Sequence, residues 1–422
     1  MCALRIMLLI LFLNASIIFS DQSIEEKNLK SKFDKIKSLA PGIFIDCTYC
    51  DLEFIKAKII YINYVRDPDL ADIYILITWQ NTGSGGREYT IKFEGQRAFK
   101  DMDYKLIYVS KQEDTDSIRR DGIIRNLKIG LIKYLFDSPL LEYLDITFSD
   151  VVTDNEVKDE WDSWIFDINL RGYSSGYQSY SYFWLTINMN GNRVTEESRI
   201  KLSTSMSYDE SNYKIDEDTY RSISRRHSAY GTYVLSLTDH WSAGMTASYL
   251  SSTYSNIKSS YELAPAIEYN LFPYSESTSK QLRFQYKLAY QNQDYIETTV
   301  YDKNSETLFY ENLSINLGLI QKWGSIDLSL DAKHYFHDFS KNNLGLYCDI
   351  EWRILRGLSF TLSGSYYLVH DQISLPKGDA TTEEILLQLK ELKTNYSYWI
   401  SFGIRFTFGS TYNNVVNPRF GY

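Results

Sequence analysis

The residues able to do chemistry are few and scattered. Cys2 lies at the very start, Cys348 stands alone, and Cys47 and Cys50 form CTYC. In an exported chain so close a pair makes a small disulfide loop or stays as inert thiols. A redox role needs a helix opening just after the first cysteine in a βαβ setting, and the residues that follow read as a loop. A metal centre needs two further ligands nearby, and none is in reach. Of the five histidines, His334 and His337 in HYFH fall on opposite faces of an extended chain and cannot readily share a metal. Nucleophilic hydrolysis needs a serine and a histidine on one side, whereas His227 and Ser228 point apart. The glycine run at 83–86 has no lysine after it and opens no helix, so it reads as a hairpin turn rather than a phosphate cradle. No catalytic residue, metal or cofactor is expected.

A second set of reactive types is larger and patterned. Charges occupy one side of a series of extended runs: Asp167, Arg171, Arg199, Lys201, Glu262, Glu268, Arg283, Lys287, Asp327, Asp331, Lys333, Asp349, Glu351, Arg353 and Arg405. Rings of charge inside a pore tune which solutes pass. Opposite charges paired across a narrow interior close it instead, and the mixed signs favour neither outcome. Both require water behind the charges, because a charge facing lipid at midplane costs about 2–4 kcal/mol.

The elements that position these charges alternate strictly. In the run over 395–409, Tyr396, Tyr398, Ile400, Phe402, Ile404, Phe406 and Phe408 share one side, Ser401, Gly403 and Arg405 the other, and Trp399 breaks the pattern. Similar runs predict twelve strands, over 161–173, 178–190, 197–210, 218–237, 240–255, 258–271, 279–295, 306–321, 325–337, 342–353, 357–371 and 395–409. Segments of this length alternating apolar and polar are the signature of a transmembrane antiparallel β-barrel, and an even number suits bacterial barrels. A spanning sheet has to close, since lipid satisfies no backbone groups. A β-sandwich would bury the oily faces in protein, but twelve such strands need more core than one layer of contacts offers. Short connections at 190–195, 238–240, 272–278, 322–324 and 354–357 define one end. The longest loop, 372–394, with a predicted helix over 382–392, defines the other and is expected to face outside the cell.

Residues 1–20 read as a signal peptide: Arg5 is followed by an apolar run too short to span as a helix. The net charge of −10 argues against nucleic acid as a partner. Thirty-six tyrosines suit a membrane interface, where one end of the ring is wet and the other apolar. Residues 21–150 read as a small α+β domain. A polar helix is predicted over 23–39, and extended runs over 43–46, 59–65, 73–80, 89–94 and 104–110. An amphipathic helix follows over 114–136, with Ile123, Ile124, Leu127, Leu131, Tyr134 and Leu135 at helical spacing. The nearly continuous apolar run 73–79 predicts a central strand covered on both faces. The barrel is expected over 161–409 and a tail over 410–422.

The final run contains SFGIRFTF, which resembles the β-signal of bacterial outer-membrane barrels, with Ser401, Gly403, Phe406 and Phe408 at the matching positions. The resemblance implies handling by the barrel assembly machinery of a Gram-negative bacterium. The chain departs from the usual pattern by continuing past Phe408. With the tail NNVVNPRF, the chain resembles uncharacterised outer-membrane β-barrel proteins with a small periplasmic domain, a family that lends no activity. Through ADIYILITWQ and REYTIKF the amino-terminal part is similar to the first domain of TolB-type periplasmic proteins and to curli-secretion lipoproteins. Three functions compete. A passive channel for small polar solutes comes first and an anchor holding the periplasmic domain for a protein partner second. A lipid hydrolase trails, since no HxSNGR-like segment of the outer-membrane phospholipases is present.

Overall fold

The computed structural model describes residues 40–83, 85–136, 138–144, 161–215, 218–378 and 391–410. The expected leader over 1–20, the helix over 23–39, most of the loop helix over 382–392 and the tail beyond 410 lie outside those residues.

The amino-terminal domain is a five-stranded sheet of β1 (Gly42–Asp46), β2 (Asn63–Tyr64), β3 (Ile73–Asn81), β4 (Arg87–Gly95) and β5 (Tyr104–Ser110), in the order β2-β1-β3-β4-β5. β1 runs parallel to β2 and β3, and the remaining pairs are antiparallel. Two helices, α1 (Leu52–Lys58) and α2 (Asp116–Leu135), complete it. Ile73, Ile75 and Ile77 of β3 pack into one core with Ile123, Leu127 and Leu131 of α2. Each such side chain contributes about 1.5–3 kcal/mol on burial. α2 begins where Thr115 accepts a hydrogen bond from the Ile118 amide. It lies close on the sheet because Gly122 and Gly130 carry no side chain. A Cβ at Gly130 would sit 2.0 Å from Phe93, and one at Gly122 2.1 Å from Tyr108.

Two expectations need correction. The extended run over 59–65 is a strand only at Asn63–Tyr64, and α1 precedes it unforeseen. Asp51 caps α1 by accepting from the Phe54 amide, with Glu53 in the first turn and Lys56 and Lys58 in the last. Ile59 and Ile62 are buried in an irregular segment leaving that helix rather than on a strand face.

The second domain is an antiparallel β-barrel of twelve strands. These are β6 (Trp164–Tyr177), β7 (Tyr180–Val194), β8 (Ser198–Ile215), β9 (Asp218–Ser236), β10 (Trp241–Ser252), β11 (Ile257–Asn270), β12 (Lys280–Tyr295), β13 (Ser305–Gln321), β14 (Gly324–Tyr335), β15 (Asp338–Leu355), β16 (Leu358–Val369) and β17 (Tyr396–Phe406). Each pairs with the next in sequence. The barrel is apolar outside and polar inside. Outward Leu263, Leu288 and Leu346 are 46, 43 and 45% exposed, whereas Ala264, Ala289 and Ser314 on the other face are buried. On the β10–β11 hairpin the outward band Ala243, Met245 and Ala247 lies between two aromatic pairs. Trp241 meets Tyr269 at 4.7 Å and Tyr249 meets Tyr261 at 5.1 Å. Eight residues of strand separate them, about 26 Å at about 3.3 Å per residue, which suits the apolar band of a membrane barrel flanked by aromatic girdles.

The two domains touch, and the contact reveals the curvature. Gly83, in the β3–β4 turn, lies against Val194 at the end of β7. Arg66, just after β2, donates to the carbonyls of Phe408 and Gly409 beyond β17. On a flat sheet those strand ends, ten strand spacings apart, would stand about 48 Å from each other at about 4.8 Å per spacing. A domain of this size has a radius of gyration of only about 13 Å, so the sheet must be rolled. Among the described residues β6 and β17 each carry a ladder on one side only, and both are exposed along most of their length.

Candidate functional site

The register puts all fifteen charges named from the sequence on the polar face. What they meet differs around the wall. Glu262 on β11 accepts from the Tyr310 hydroxyl at 2.6 Å and pairs with Lys287 at 3.4 Å. Glu268 accepts from Tyr274 and Gln285, at 3.0 and 3.2 Å. Asp331 accepts from Ser314, Asp349 from Ser363 and Asp167 from Asn190. Asp327 stands opposite Asp349 in the β14–β15 ladder. Arg171, Arg199, Lys201 and Arg405 are exposed and have no hydrogen-bonded or ion-paired partner among the described residues. Much of the wall over β11–β16 is therefore knit together, though the Arg283 Nε on β12 is buried without a hydrogen-bond partner among the described residues, while β6 and β8 offer free cations to water.

The mouth at the long-loop end holds a feature the sequence did not announce. Residues 371–377, just past β16 and running into the long loop, fold into the barrel. Ile373 and Leu375 are both 6% exposed. Ile373 joins Ala264, Ala289, Leu308, Tyr310 and Tyr335 in one apolar cluster on the inner wall. Asn256 donates to the Ser374 carbonyl at 2.8 Å, and the Val300 amide to that of Leu375 at 2.9 Å. Lys333 clasps the base of the segment. Its Nζ lies 3.2 Å from Asp371 and 2.9 Å from the Tyr335 hydroxyl, and 4.6 Å from the ring centres of both Tyr310 and Tyr335. Alternation in Ile373-Ser374-Leu375 was the available signal for this burial.

The opposite mouth carries the docked domain. Arg353, at the end of β15, places both terminal nitrogens on Asp46 of β1, at 2.8 and 3.2 Å. Asp46 also accepts from the Tyr74 hydroxyl at 2.6 Å. Phe44 stacks on Tyr74 and receives the Arg353 guanidinium at 5.4 Å. Lys322, between β13 and β14, pairs with Asp69 and donates to Gln96, both at 2.8 Å. Arg356 faces Asp67 at 3.9 Å. Every such pair sets a barrel cation against a domain aspartate. Phe44, Asp46 and Tyr74 point to the sheet face opposite α2, which gives the apolar run 73–79 a cover on its second side. Burial, and after it the Asp46 carboxylate, hold the Tyr74 phenol neutral well above the usual tyrosine range.

The remaining residues singled out from the sequence lie apart from these contacts. Cys47 and Cys50 are joined as a disulfide on the helix side of the small sheet. Cys348 is free. Among the described residues no group of three His, Cys, Asp or Glu could hold a metal. Ser401 and Gly403 pair with Ser363 and Thr361 within β17, which ends at Phe406. Phe408 lies past the strand, its ring 5.5 Å from Phe406 and its carbonyl held by Arg66.

No family model matches the chain, and no curated protein is similar to it. Among solved structures the chain is similar to the NanC porin, at 9% identity over 57% of this chain and 100% of that one, with a TM-score of 0.29. It is also similar to the beta domain of the Bordetella autotransporter BrkA, at 11% identity over 58% and 98%, with a TM-score of 0.24.

Proposed function

We propose that this is an outer-membrane protein whose barrel anchors the amino-terminal domain at the periplasmic rim and presents it to a protein partner there. The docking supports this reading best: three ion pairs and the Arg66 clasp hold the domain at rim positions from Val194 round to Gly409. Insertion by the barrel assembly machinery, through the motif on β17, belongs to the same reading. The test places cysteines at Asp69 and Lys322 and treats intact cells with a short bis-maleimide. A crosslink within the folded protein is expected, and its absence would count against docking. Photo-crosslinkers on the domain surface should then capture one dominant envelope protein; none above background would sink the reading.

A second reading, a channel for small polar solutes, is favoured by the free, exposed cations Arg171, Arg199 and Lys201. Planar-bilayer recording decides it. Folded protein that gives no stepwise current at any voltage is not a channel.

A further inference from the structure

The helix side of the small sheet carries a pocket that neither the docking nor the barrel uses. It encloses about 420 Å³ beside the Cys47–Cys50 disulfide, within the range of small-ligand sites. Tyr49, Phe54 and Trp79 supply rings, and Arg87, Arg119 and Arg120 supply guanidinium groups. Two of those cations are already matched: Arg119 pairs with Asp116 and Arg120 with Asp51. Arg87 is not. Its guanidinium carbon lies 4.5 Å from the centre of the Trp79 ring, and among the described residues its side-chain N–H groups meet no acceptor. Tyr49, 77% exposed, stands edge-on to Trp79 at 6.0 Å.

Stacking on an indole fixes a guanidinium while leaving its N–H edge free, and that edge matches a carboxylate with two parallel hydrogen bonds. The first turns of α2 add Asp116, Arg119 and Arg120 to the lining, bringing the positive end of a helix to the same place. Three cations against Asp51 and Asp116 leave an excess of positive charge. A cationic ligand would be repelled, and a neutral one would leave the Arg87 N–H groups without a charged acceptor. The exposed Tyr49 ring asks for an apolar group beside the anion. Trp79 lies on the sheet face opposite the docking residue Asp46, so the pocket opens away from the barrel.

We propose that this pocket binds the free carboxyl terminus of a peptide, its last side chain apolar or aromatic and resting on Tyr49 and Trp79. The proposal rests on the anchor reading only for where such a peptide is met. The experiment titrates alanyl-alanyl-phenylalanine, and separately its C-terminal amide, into the full-length protein in detergent micelles by calorimetry. The acid is expected to bind at least about tenfold tighter than the amide, and Arg87→Gln to erase that difference. Tyr49→Ala, at an exposed position that costs no core, should weaken both ligands by about fivefold. No heat with the acid, equal binding of acid and amide, or an Arg87→Gln protein that still prefers the acid overturns the proposal. The crosslink between positions 69 and 322 is read in the same samples. A crosslinked protein without acid binding rejects the pocket alone, and acid binding without the crosslink rejects the anchor alone.

Discussion

Asp46 is the residue on which the contact between the domains turns. It takes three hydrogen bonds, two from Arg353 and one from Tyr74, and its side chain is 16% exposed. Removing Arg353 leaves that carboxylate poorly matched, so Arg353→Ala should weaken docking by about 1.5–3 kcal/mol, the value of a hydrogen bond to a charged group. The drop in crosslink yield between positions 69 and 322 reads it. Tyr74 adds a pH limit. Its folded pKa is raised, so its contribution is complete below the unfolded value of about 10 and is lost as the pH climbs past it. Docking should hold at full strength from neutrality to about pH 10 and weaken progressively above it. Tyr74→Phe should start weaker and show less of that alkaline loss, followed by tyrosinate absorbance alongside the crosslink. Face parity alone put Arg353 among the inner-wall charges. Its partner is 307 positions away in the chain, a distance that no local pattern spans.

At the scale of elements, the barrel strands were legible because membrane and water force a period of two on every one of them. β17 and β12 begin and end within a few residues of expectation. α1 was missed because its seven residues are too few to display a helical stripe, although Asp51, Glu53 and Lys58 mark both of its ends. α2 was legible from spacing, but the purpose of its glycines was not, since that depends on which rings lie beneath. Gly130→Ala improves helix propensity by about 1 kcal/mol but drives a methyl into the Phe93 ring, and overpacking costs about 1–3 kcal/mol. A net loss of domain stability is expected in thermal unfolding. The inward turn of 371–377 escaped notice because a loop was judged by its length and not by its two apolar residues. Replacing Ile373 and Leu375 together by serine should release that segment. Under the channel reading, single-channel conductance in planar bilayers then rises above that of the parent protein.

For the whole molecule, the inverted arrangement of oily and polar faces follows from alternation alone, while the rolling of the sheet is told by a domain that touches both of its ends. The edges of β6 and β17 bear directly on the membrane. Hydrocarbon offers no partner for backbone N–H and C=O groups, and with an even number of strands the first and last run antiparallel. In lipid nanodiscs the amides of β6 and β17 should therefore exchange with deuterium as slowly as those of β11 and β12; fast exchange along both would mean an unsealed wall.

Arg66 reaches across this architecture to grip main-chain oxygens immediately after the last strand. A nascent polypeptide lacks that handhold until its final span has been laid down. Stalled intermediates would thus display a loose head to added protease, and finished molecules would shield it, so that completion of the cylinder is announced at the opposite end of the chain.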